Sequence, residues 1–114
     1  MTEDHIELLR EFPDNVIIRG NSVYFAVGDA GRVVDFCRMR GWAVVGLEGL
    51  HLDRGTVVAD MNLIADFSEE DDQDDWSRYV QACAAEAERV LVEWAGNSEL
   101  LVEVVVLTCP DGPP

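Results

Sequence analysis

Three observations predict an α+β fold, one mixed or antiparallel sheet of about five strands with two main amphipathic helices lying largely on one face. Short β-branched and aromatic runs alternate with two apolar stripes of helical period. Glycine-centred turns separate neighbouring runs, and neither a linker nor an internal repeat divides the chain. At 114 residues with 48% hydrophobic residues, there is material for one core. A single domain is expected over residues 1–108, followed by a flexible tail at 109–114 that contains three prolines and a glycine.

Each element has its own signal. Residues 2–12 carry Ile6, Leu8, Leu9 and Phe12 among acids and stop at Pro13, which predicts a short helix capped by Thr2. Residues 16–19 and 22–27 are β-rich runs joined by Gly20-Asn21, a dipeptide suited to a two-residue hairpin turn. Ala30, Val33, Val34 and Cys37 then recur at helical spacing, with Asp29 as the predicted cap and Gly41 as the left-handed stop. The run 42–47 is apolar on both faces and predicts a central strand. Residues 50–52 and 56–58 flank Asp53-Arg54-Gly55, which reads as a three-residue hairpin loop. In 60–67, Met61, Ile64 and Phe67 are spaced by three, which favours a helical turn over an irregular connection. The longest helix is expected over 73–95, where Trp76, Val80, Cys83, Ala87, Val90, Leu91 and Trp94 form one stripe. Residues 100–107 make a β-favouring run with one charge, Glu103.

Composition narrows the function classes. No apolar run approaches the ~20 residues that cross a bilayer. The acidic first residues do not suit the basic end of a signal peptide, so a cytoplasmic protein is expected. With 23 acids against 8 arginines and a net charge of -15, direct binding to nucleic acid or an anionic membrane is not expected. Cys37, Cys83 and Cys109 are odd in number and far apart, which suits neither a disulfide framework nor a zinc site; Cys37 and Cys83 read as small buried hydrophobes. Enzyme signatures are missing: there is no P-loop, no dinucleotide-binding glycine pattern and no nucleophile elbow. His5 and His51 fall in different elements, and a His51–Asp53 couple would follow simply from residues two apart sharing a strand face. No enzymatic activity, cofactor or metal is expected.

The charge itself is uneven. Residues 1–57 hold nine acids and six arginines, a net of -3, whereas residues 58–114 hold fourteen acids and two arginines, a net of -12. The densest stretch is Glu69, Glu70, Asp71, Asp72, Gln73, Asp74 and Asp75, immediately before Trp76. Acids favour a helix start, and Ser68 with Asp71 resembles a capping pair, so a solvated loop and helix end account for part of the run. Six acids in seven residues exceed what a helix start uses and repel one another. A calcium loop would need a glycine at its sixth position, and none follows Asp66, Asp71, Asp72 or Asp74 at that distance. The remaining reading is an electrostatic docking surface for a cationic protein. Its predicted contact residues are Asp66, Glu69, Glu70, Asp71, Asp72, Asp74 and Asp75. Tyr79, lying beside the apolar stripe, is the aromatic predicted to reach solvent and anchor the partner.

Two resemblances bear on this. The block Gly46-Leu47-Glu48-Gly49-Leu50, followed by residues 60–68, resembles small actinobacterial proteins, in keeping with a chain that has no lysine. In size and charge the chain is similar to bacterial immunity proteins, which neutralise secreted nuclease toxins. That likeness implies a non-enzymatic inhibitor of immunity or antitoxin type, whose carboxylates occupy a phosphate-accepting site on a basic partner. The alternative is a structural or regulatory homo-oligomeric module, a homodimer being the simplest, in which the acids only confer solubility.

Overall fold

The chain forms three helices and one five-stranded antiparallel sheet among the residues described by a computed structural model, 3–14, 16–68, 75–97 and 99–108. In order these are α1 (Glu3–Glu11), β1 (Val16–Arg19), β2 (Ser22–Ala26), α2 (Val27–Met39), β3 (Ala43–Asp53), β4 (Thr56–Asp66), α3 (Trp76–Trp94) and β5 (Leu101–Leu107). The sheet order is β1-β2-β5-β3-β4, so the last strand in sequence fills the centre and completes the sheet. The tail at 109–114, the capping position at Thr2 and the residues 69–74 lie outside the described residues.

Two glycine turns build the hairpins. Arg19 pairs with Ser22 across Gly20-Asn21, and Gly20 takes a φ of 60°. The second hairpin is tighter than the predicted three-residue loop. Asp53 pairs directly with Thr56, leaving Arg54 and Gly55 as the turn, with φ of 53° and 83°. Positive φ at both central positions matches the right-handed twist of the flanking strands, so a two-residue primed turn replaces the longer loop.

Other differences have local causes. Asp29 does not cap α2, because the helix begins at Val27 straight out of β2. The Val27 N–H donates to the Leu100 carbonyl at 2.9 Å, so the start is pinned by the backbone just ahead of the central strand rather than by a side chain. Asp29 instead pairs with Arg32 one turn on. At the other end, Gly41 (φ 75°) donates to Arg38 and Trp42 to Cys37, closing the helix as the sequence predicts. The predicted pieces 42–47 and 50–52 are one strand, β3, with a bulge at Val45. Residues 60–66 are not a helical turn but the second half of β4. Gly49 alone lies opposite 60–63, which are held in a bulge where the Asn62 N–H donates to Asp60, and the spacing of three marks no common face, since Met61 and Ile64 are exposed and Phe67 is buried. Gly49 is required there, since a Cβ at that position would lie 2.7 Å from the Leu63 Cβ.

The core lies between the sheet and α2 and α3. Val23, Phe25, Val44, Leu47, Val102 and Val104 face Ala30, Val33, Val34, Val80, Cys83 and Ala87 in one contiguous cluster, into which α1 inserts Leu8. Cys37 and Cys83 are both buried, and burial pushes the Cys37 thiol up to about 12. The opposite face of the sheet is more open: Ile64, Val105 and Leu107 remain 40–49% exposed. No helix among the described residues is long and apolar enough to cross a membrane.

Candidate functional site

The acidic region begins where β4 ends. Asp66 is exposed at the last position of the strand and takes the Ser68 N–H at 2.9 Å. Hydrogen bonds from the Ser68 hydroxyl and N–H hold its carboxyl below the usual carboxylate range, so the charge persists into mild acid. Asp75 is the N-cap of α3: its carboxylate accepts the Arg78 N–H at 3.2 Å and lies 3.7 Å from the Arg78 guanidinium. The helix start is therefore capped at Asp75, not at Ser68. Glu69, Glu70, Asp71, Asp72 and Asp74 lie outside the described residues.

Tyr79 is not the exposed anchor that the sequence predicts. Its side chain is buried, its hydroxyl donates to the Ser68 carbonyl at 3.0 Å, and its ring packs against Trp76 at 5.7 Å. Helical periodicity places a side chain relative to its own axis. It does not register that the chain leaving β4 crosses over the first turn of α3. Trp76 adds a second tether, its indole N–H donating to the Gly41 carbonyl at 2.8 Å. The two aromatics fasten the start of α3 to the ends of β4 and α2, so they position the charges on either side of 69–74.

Sequence reasoning missed β4 as an edge. It is eleven residues long, carries Asp60 and Asp66, and leaves Val58, Met61 and Ile64 from 46% to 76% exposed. The bulge opposite Gly49 thrusts Met61 outward. Two cues existed: the β-branched residues at 56–58, and a glycine facing apolar residues in the next run. The strand order that makes this an edge depends on β5 arriving last, which no local pattern encodes.

His51 contacts Asp60 across the hairpin, Nε2 to Oδ2 at 3.1 Å, rather than Asp53 beside it. The Asn62 N–H, and after it His51, keep the Asp60 carboxyl below its ordinary range. The pair is partly open to solvent, and no group of three His, Cys, Asp or Glu side chains among the described residues is placed to hold a metal ion.

A second polar cluster sits where β2 and β5 diverge beyond the Phe25–Val102 pair. An open cavity of about 390 Å³ is lined there by Asp4, His5, Asn21, Ser22, Glu103 and Val105 with its neighbours. Glu103 faces Glu48 across adjacent strands. Partial burial pushes its carboxyl up, Ser22 draws it down, and Glu48 raises it again. Among the described residues, His5 Nδ1 is buried without a hydrogen-bond partner. Burial and the like charge of Glu48 outweigh the hydrogen bond that the Ser22 hydroxyl makes to Glu103.

No protein-family model matches the chain, and neither a curated protein nor a solved structure matches it.

Proposed function

We propose that this chain is a non-enzymatic acidic binding protein of immunity or antitoxin type, which presents carboxylates to a basic protein partner of the nuclease-toxin class. One observation carries the reading: among the described residues, the two acids of β4, Asp60 and Asp66, have no arginine partner. Among the described residues, the arginines that form ion pairs do so with Asp29, Asp35, Glu7, Asp75, Glu86 and Glu93, and none reaches Asp60 or Asp66. Most of those pairs are three or four residues apart on α2 and α3, a local use of cations that leaves the second half of the chain strongly negative. Uncompensated charge on one side of a small protein speeds encounter with an oppositely charged partner.

The test is kinetic. A basic protein partner captured from the source cell, when mixed with the purified chain, is expected to associate quickly at low salt. Association should slow several-fold as ionic strength rises from about 0.02 M to about 0.3 M, where screening shortens to under ~10 Å. An association rate that stays flat across that range overturns the reading.

The open sheet face supports one further reading, a homo-oligomer joined through Ile64, Val105 and Leu107. A tight dimer in sedimentation, unchanged when the acidic run is neutralised to amides, would favour it.

A further inference from the structure

We infer that the cationic partner docks as a strand, an extended basic segment adding to the outer edge of β4 as a sixth strand of the sheet. This rests on the reading of the chain as an acidic binding protein and specifies how such a partner is held. On one side β4 pairs with β3, and on the other no described strand lies beside it. A strand in that position offers a row of backbone donors and acceptors to any extended chain of matching register.

Proteins usually blunt such an edge by shortness, proline, or lysine and arginine. From 56 to 66 there is no proline and no basic residue, and the strand is eleven residues long. One device remains, the bulge opposite Gly49, which turns the Asn62 N–H onto Asp60 and divides the edge into 56–59 and 64–66. Those two regular runs are where a partner strand can hydrogen-bond.

Charge decides which strand. A second copy of the chain, paired edge to edge, would bring Asp60 and Asp66 against their own counterparts on a molecule of net charge -15. A segment alternating lysine or arginine with β-branched residues reverses the sign of those contacts. Its apolar side chains would meet Ile64, about half exposed on the face that Glu48 shares. The edge thus repels itself and accepts a cation.

The experiment uses the full chain and two synthetic peptides of about eight residues alternating lysine and valine, one ordinary and one N-methylated at alternate residues. N-methylation keeps the charge and removes backbone donors. The ordinary peptide is expected to slow amide exchange within 56–59 and 64–66 while leaving β1 unchanged. It should bind about tenfold more tightly than the methylated one, the loss expected from two or so hydrogen bonds. Equal binding of the two peptides, protection located elsewhere, or no binding at low salt overturns strand addition. None of these outcomes touches the salt-dependent association of the whole partner, so failure of the docking mode and failure of the acidic-binder reading are told apart.

Discussion

The two edges of the sheet differ in almost every respect that governs strand pairing. β1 is four residues long, follows a proline, and ends in Arg19, whose guanidinium folds back to the Ile18 carbonyl at 3.0 Å. β4, at eleven residues, has no proline or arginine within it and carries Asp60 and Asp66. The first edge is closed by brevity and positive charge; the second is kept from self-pairing by negative charge and by the bulge opposite Gly49. Charge protects only against partners of the same sign, so the second edge is also a selective opening.

Mutations can break or sharpen this contrast. The largest effect is expected on the β1 side. Phe25 is buried where β1, β2 and β5 meet, with the Phe12 ring edge-on at 6.3 Å. Phe25→Ala should cost about 3–5 kcal/mol in urea unfolding and loosen the whole sheet. On the β4 side, Gly49→Ala forces a Cβ onto Leu63 and should cost about 1–3 kcal/mol. Its signature is local: amide exchange should quicken in 56–66 well before β1 responds. Equal loss of protection at both edges would contradict the separate seating of β4.

Tyr79→Phe keeps the packing and removes the hydrogen bond to Ser68, a loss of about 0.5–1.5 kcal/mol. If the aromatic clasp positions the acids near it, partner association should weaken more than this small stability change implies.

The smallest effect concerns Glu103, which lies away from both edges. Its carboxyl is raised in the folded protein, so its own contribution to stability is fully present below the ordinary glutamate range and is lost as pH rises through the raised value. Glu103→Gln should therefore stabilise the protein at neutral pH by less than about 1 kcal/mol, the scale of one cross-strand pair. The gain should vanish in acid, as thermal melts at two pH values will show.

Much of the fold was legible where local chemistry sufficed. The Gly20-Asn21 turn, the Gly41 stop and the stripes of α2 and α3 are all set by residues within a few positions of one another. Legibility failed where a distant residue decides. The spacing of Met61, Ile64 and Phe67 suggests a helical turn, but the segment is a bulged strand whose seating depends on Gly49, and the three side chains share no face. Asp29 looked like a cap because nothing nearby reveals that Leu100 already holds the start of α2. The site divides in the same way: the excess of acids is visible as letters, whereas the burial of Tyr79 and the edge position of β4 follow from how separate elements meet.

The sulfur at position 37 has a practical consequence. Alkylating reagents attack the thiolate, and a buried thiol that ionises only near pH 12 offers almost none of it in the native state. Modification of the Cys37 peptide, followed by mass spectrometry, therefore counts the molecules that have opened. The protein carries its own clock for unfolding, readable without a dye or an engineered label.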